Sequence, residues 1–240
     1  MRYISKVVKY QLLSLKNQTL TCFSIIALNI MISFIVSYFL TSAIDGSNVK
    51  IGSIDIVALI WIFILGISFF KPSFKFMLSN GVSRKRFFVA NINCFAIIAA
   101  AWSIAVTLLS IISRRYINII VLYETLYNNL NGLSFAVWMF AAFFMLAILG
   151  WFINIIYYRS GKGLKLFISF SMFAIGPILL LFNILTSGII LKVIAQFFII
   201  TMGFSSDLPN SYIATLSMLI FAIVLCSFNF LLIRKAQIQD

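Results

Sequence analysis

Residues 71–88 read KPSFKFMLSNGVSRKRFF. Five of them are basic (Lys71, Lys75, Arg84, Lys85, Arg86), none is acidic, and an apolar run lies on either side. Pro72 suits the first turn of a helix, where its missing N–H has no intrahelical acceptor. Phe74, Met77 and Leu78 then share one face at helical spacing. Gly81, after Asn80, stops such a helix, because glycine enters the left-handed conformation without strain. Ser83 is placed to cap the next, long apolar helix. The stretch therefore predicts a short helix, a sharp turn and a second helix. Arg84, Lys85 and Arg86 fall in the first turn of that second helix. There the macrodipole is positive and disfavours each cation by about 0.3–1 kcal/mol. Something must offset that cost: retention of the loop on the inner side of a membrane, anionic headgroups, or an acidic partner.

The membrane enters through composition. Of 240 residues, 63% are hydrophobic and 10% charged, where a soluble domain carries about 25% charged. Mean hydropathy is +1.12. Uncharged apolar runs near the roughly 20 residues needed to cross a bilayer recur along the chain. The expected fold is an all-α polytopic membrane protein, one transmembrane domain over residues 1–240, with six spans. The spans are Leu20–Leu40, 54–70, 87–112, 133–156, 166–185 and 212–233. Residues 1–18 form a basic amphipathic helix with Ile4, Val8, Leu12 and Leu15 on one face, expected to lie flat in the cytoplasmic interface. Residues 187–211, SGIILKVIAQFFIITMGFSSDLPNS, are apolar but punctuated by Lys192, Gln196, Gly203 and Pro209. They predict a re-entrant or interfacial hairpin on the outer side, because they are short for a crossing.

Charge sets the orientation. With both termini in the cytoplasm of a plasma-membrane protein, the inner side holds Arg2, Lys6, Lys9 and Lys16, the five basic residues of 71–88, then Arg159, Lys162, Lys165, Arg234 and Lys235. The outer side holds Lys50, Arg114, Arg115 and Lys192, while Asp45, Asp55, Glu124 and Asp207 fall outside or near an outer span end. The net charge of +13 is thus spread between spans, which argues against nucleic acid as a partner.

Chemistry is sparse. There is no histidine, which removes imidazole from catalysis and metal binding. Cys22, Cys94 and Cys226 sit in or at the end of apolar runs with no metal or redox spacing. The span interiors carry no Asp, Glu, Lys or Arg, so an intramembrane enzyme or an ion-coupled carrier is disfavoured. RSGKGLK (159–165) fails the phosphate-loop pattern: Ile156 stands where glycine is needed, and Gly163 follows Lys162. No catalytic residue, cofactor or metal site is expected in this chain. Asn29, Asn91, Asn93, Asn154 and Asn183 are the polar residues that either line a path or hydrogen-bond between helices. Ala101 with Ala105, and Ser33 with Ser37, have small-xxx-small spacing. The two halves show no internal repeat.

The layout resembles the permease subunit of ABC-2-type ABC exporters: a basic N-terminal helix, six spans, a short helix before GVSRKRFF, and an apolar hairpin before the last span. GVSRKRFF (81–88) resembles the Gly-Ser-Arg-type segment after the second span of small Gram-positive permeases. Within that family the chain is similar to small permeases exporting amphipathic peptides, such as phenol-soluble modulins or bacteriocins. The resemblance implies that residues 71–80 form the coupling helix seated on a separate cytosolic ATPase subunit, where ATP and magnesium would bind. It implies a dimer with a second permease copy or paralogue, and an outer hairpin, 187–211, closing the pathway. The docking residues expected on this basis are Pro72, Phe74, Lys75, Phe76, Met77, Leu78, Asn80, Gly81, Arg84, Lys85 and Arg86. Phe74, Met77 and Leu78 would fill a groove in the ATPase, and the cations would meet acids at its rim. The chain departs from larger family members in lacking a sizeable external domain, which argues against large polymer substrates, and its apolar, weakly polar interior suggests a hydrophobic or amphipathic cargo. A motor-less immunity or sensor protein is the alternative.

Overall fold

The computed structural model describes residues 2–15, 19–21, 54–68, 70–113, 121–128, 131–161, 163–167, 188–204 and 209–234, with isolated residues between 24 and 35 and between 169 and 186. Eight helices are defined among them: α1 (Arg2–Ser14), α2 (Ile54–Ser68), α3 (Phe70–Ser79), α4 (Arg84–Ser113), α5 (Leu122–Tyr127), α6 (Gly132–Arg159), α7 (Ile189–Thr201) and α8 (Ser211–Arg234). No strand occurs among the described residues.

Three helices are long and apolar enough to cross a membrane: Arg84–Ile112 of α4, α6 and α8. At 1.5 Å per residue they run about 36–45 Å, more than the hydrocarbon thickness of about 30 Å. They mark the chain as a membrane protein. α2 and α7 are apolar but shorter, at 15 and 13 residues. Of the six expected spans, three are therefore full-length helices and the second is the shorter α2. The first and fifth fall mostly outside the described residues.

α6 is the centre of the bundle and packs on α2, α4 and α8. Its buried residues, including Phe135, Trp138, Phe143, Ile148, Trp151 and Ile155, point to several sides, as a helix surrounded by others requires. The closest seam joins α2 and α6. A Cβ added to Gly66 would lie 2.4 Å from the Ala147 carbonyl oxygen, and one added to Gly150 would lie 2.5 Å from that of Phe63. Backbone meets backbone there, which glycine alone permits. Asn154 Nδ2 donates to the Ile67 carbonyl one turn further along the same seam. On the opposite flank, Asn229 Nδ2 of α8 donates to the Ile148 carbonyl of α6 at 3.4 Å. Aromatic rings fill the remaining space: Phe95 and Phe88 pack on Trp151 at 5.6 and 5.8 Å between centroids.

α1 packs against the bundle. It buries Val7, Gln11 and Leu15 against α4, with Gln11 Nε2 donating to Asn91 Oδ1. Further along, Leu12, Leu15 and Thr19 face Ile97, Ile98, Ala101 and Trp102 across an open apolar groove of about 230 Å³. Gln11 opposite Asn91 and Thr19 beside Trp102 give a near-constant offset, so this segment runs alongside α4 in the same direction. Val8 and Leu12 of the expected stripe pack half-buried against the core and Leu15 is buried; Gln11 joins them because the Asn91 carbonyl oxygen offers its amide an acceptor in an apolar setting.

Both close-approach glycines carry a direct test. Gly66→Ala and Gly150→Ala should each lower unfolding stability in detergent by about 1–3 kcal/mol. Gly161→Ala, where an added Cβ meets nothing within 4 Å, should change it by less than about 0.5 kcal/mol.

Candidate functional site

The helix–turn–helix of residues 70–88 forms as its sequence dictates. α3 starts at Phe70, which leaves Pro72 in the first turn. It ends in a Schellman motif: Gly81 N–H donates to the Leu78 carbonyl at 3.0 Å and Val82 N–H to the Met77 carbonyl at 3.0 Å. Gly81 has φ = 74°, the left-handed value that disfavours any side chain. Val82 and Met77, the residues that flank the motif, are both buried, which is the hydrophobic contact such a terminus carries. Ser83 Oγ accepts from Arg86 N–H at 3.4 Å and caps α4.

The two faces of α3 do different things, and the apolar stripe is not the exposed one. Phe74 is 0% and Met77 4% exposed. Phe74 lies edge-on to Phe87 of α4 at 5.3 Å and to Tyr158 of α6 at 6.0 Å. Leu78 is half-buried against the same core. The expectation that Phe74, Met77 and Leu78 stand out from the chain to fill a partner's groove is therefore corrected: they anchor α3 to the chain's own bundle. α4 starts and α6 ends at this level, and their aromatic side chains supply the pocket from within.

The outward face carries Lys75, Phe76, Ser79 and Asn80, with Gly81, Arg84, Lys85 and Arg86 beyond the turn, all exposed. Phe76 is 45% exposed and stacks on Tyr10 of α1, 4.8 Å between centroids and 10° between planes. Asn80 Nδ2 donates to the Phe76 carbonyl at 2.7 Å and tightens the helix end. Arg84 leaves this group: its Nη1 donates to the Arg234 carbonyl at the end of α8, 2.6 Å away. The start of α4 thus lies beside the end of α8, and the electrostatic penalty on Arg84 at its own helix start is offset by the negative end of its neighbour.

The other end of the bundle is built around a carboxylate. Asp55 is buried, accepting from its neighbour Ile56 N–H at 3.1 Å and from Leu122 N–H, the first residue of α5, at 2.6 Å. It serves the N-termini of α2 and α5 together. Tyr123 OH donates to Ser211 Oγ at 3.0 Å and Tyr127 OH to the Met202 carbonyl at 3.0 Å, so α5 also touches the start of α8 and the end of α7. Sequence reading treated Asp55 as a bracket at a span end. Its link to Leu122 spans 67 positions, and no local pattern encodes it.

α7 occupies the expected hairpin region. It ends in a second Schellman turn at Gly203, φ = 73°, with Phe204 N–H donating to the Ile199 carbonyl at 2.8 Å. Phe204 stacks on Tyr127 at 5.6 Å. None of the α7 residues is buried.

Among the candidate path residues, Asn91 is buried against Gln11, Asn154 is half-buried on α2, and Asn93 is exposed. Asn29 and Asn183 lie outside the described residues. Among the described residues no three His, Cys, Asp or Glu side chains gather. Comparison with protein-family models, curated proteins and solved structures finds no match.

The division of α3 into an anchoring and an exposed face gives a mutational signature. Phe74→Ala should lower unfolding stability in detergent by about 3–5 kcal/mol. Phe76→Ala should cost less than about 1.5 kcal/mol, the scale of one exposed aromatic pair.

Proposed function

We propose that this chain is the membrane-embedded permease subunit of an ATP-driven exporter, and that a separate cytosolic ATPase docks on the exposed face of α3 and the α3–α4 turn. The observation that carries the reading is the fixed basic platform Lys75–Phe76–Lys85–Arg86. Its shape is set by the Gly81 and Ser83 motifs, its inner side is locked to the bundle by Phe74, and its outer side is exposed. A loop that served only to keep residues on the inner side would need charge but no such anchorage.

Rigidity matters for the mechanism. A push on α3 passes through Phe74 to Phe87 of α4 and Tyr158 of α6, two of the spanning helices. ATP and magnesium belong to the partner, whose cycle would tilt these helices and open a path at the interface with a second permease copy or paralogue. Topology follows the charge: both termini and the α3–α4 turn in the cytoplasm, six spans in the plasma membrane, and α7 with its turn on the outer side, where it would close the path. The span interiors hold amides and hydroxyls rather than charges, which favours a hydrophobic or amphipathic cargo, with an amphipathic peptide as the leading class.

Co-purification from a mild-detergent extract of the producing cells tests this reading. The wild-type chain should retain an ATPase whose hydrolysis rate changes on reconstitution with it. Lys75→Glu/Lys85→Glu/Arg86→Glu should lose that subunit by more than about tenfold, since each exposed pair reversed costs of order 0.5–1 kcal/mol, while helix content is kept. Equal retention by the variant would place the docking site elsewhere. A wild-type chain with no ATPase bound would favour a motor-less immunity or sensor role.

A further inference from the structure

A second cationic cluster sits at the same end of the bundle, apart from the α3 platform. Arg84 opens α4, Arg159 closes α6 and Arg234 closes α8. Arg84 Nη1 donates to the Arg234 carbonyl at 2.6 Å, and Arg159 Nη1 donates to the Leu232 carbonyl at 3.5 Å. Both acceptors belong to the last turn of α8. Three arginines from the three membrane-long helices therefore meet around one helix end, and all three are exposed.

Their counter-charge is not among the described residues. The described acids are Asp55 and Glu124. Asp55 holds Leu122 at the start of α5, Glu124 lies within α5, and Tyr123 of α5 binds Ser211 at the start of α8. The 24 residues of α8 put about 36 Å between that end and Arg234. The α8 terminus offers carbonyl dipoles, which occupy one N–H of a guanidinium that has five. An external anion with several acceptor oxygens would use the remainder.

The setting selects the anion. Within two turns of the arginines, Val89 on α4, Tyr157 on α6, and Phe228 and Leu231 on α8 are exposed. The cluster thus lies where apolar, bilayer-type surface gives way to charge, which is the depth of lipid phosphates. We propose that Arg84, Arg159 and Arg234 form a binding site for the phosphate of an anionic phospholipid, whose acyl chains lie along the exposed apolar side chains of the same helices. Guanidinium pairs phosphate with two parallel N–H bonds, and the α8 carbonyls hold two of the three groups in place. The bound lipid would tie the start of α4 to the ends of α6 and α8. The site is independent of any ATPase, because it needs only the chain and a bilayer.

The test uses the whole purified chain in neutral detergent, titrated with phosphatidylglycerol or phosphatidylcholine, with lipid retained per chain read by native mass spectrometry. Phosphatidylglycerol should bind in preference. The Arg84→Gln/Arg159→Gln/Arg234→Gln variant should lose at least about tenfold in that affinity, given roughly 1 kcal/mol per arginine at a membrane surface. Phosphatidylcholine retention should not change, and Lys192→Gln on α7 should behave as wild type. Arg159→Gln alone breaks only one long hydrogen bond, so it keeps the fold and should still lose about threefold or more. Inorganic phosphate in excess should leave lipid retention intact. Equal phosphatidylglycerol retention by wild type and by both arginine variants, or its displacement by inorganic phosphate alone, overturns the proposal.

Discussion

The backbone contact between Gly66 and Gly150 is the constraint on which the arrangement of the bundle rests. α2 is only 15 residues long and cannot hold its place by length. In a bilayer, apolar side chains gain little by leaving lipid for protein, so close van der Waals contact and interhelical hydrogen bonds must do the holding. The missing Cβ atoms let Phe63 and Ala147 carbonyls approach the opposite helix, and the Asn154 amide closes the seam on Ile67. Because α2 leads directly into α3, the same seam sets where Phe74 enters the pocket made by Phe87 and Tyr158. The exposed basic platform inherits its position from two glycines near mid-bundle.

Polar chemistry divides cleanly along the molecule. Inside, amides bond to neighbouring helices, Gln11 to Asn91, Asn154 to Ile67 and Asn229 to Ile148, while hydroxyls such as Ser103, Thr107 and Thr215 bond back to carbonyls of their own helix. At one end a buried carboxylate, Asp55, gathers the starts of α2 and α5. At the other, arginines gather the end of α8. Asp55 and the arginines bonded to α8 thus each meet a helix terminus of opposite sign, so these charges act as packing devices. Lys75, Lys85 and Arg86 are exposed at the basic end.

Local features were legible and distant ones were not. Gly81 and Ser83 announce their turn and cap, since both motifs are closed within six residues. The ends of α4, α6 and α8 lie within about three residues of the expected span limits. The Phe74–Met77–Leu78 stripe was also visible, but amphipathicity shows only that a face is covered, never whether the cover is the same chain or another. Here the cover is the chain itself. Gly66 and Gly150 lie 84 positions apart in helices without a small-xxx-small pair at that seam, while Ala101, which has such spacing with Ala105, is exposed. The burial of Gln11 in α1 depends on an amide partner, Asn91, that hydrophobic periodicity cannot name.

The most direct measurement is site-specific photocrosslinking in living cells, with a benzophenone amino acid in place of Phe76, the exposed ring at the centre of the basic platform. A light-dependent adduct to an ABC-type ATPase, lost when Lys85 and Arg86 are changed to Glu, is the expected result. Adducts only to lipid or to this chain itself would contradict docking of a cytosolic motor at this face.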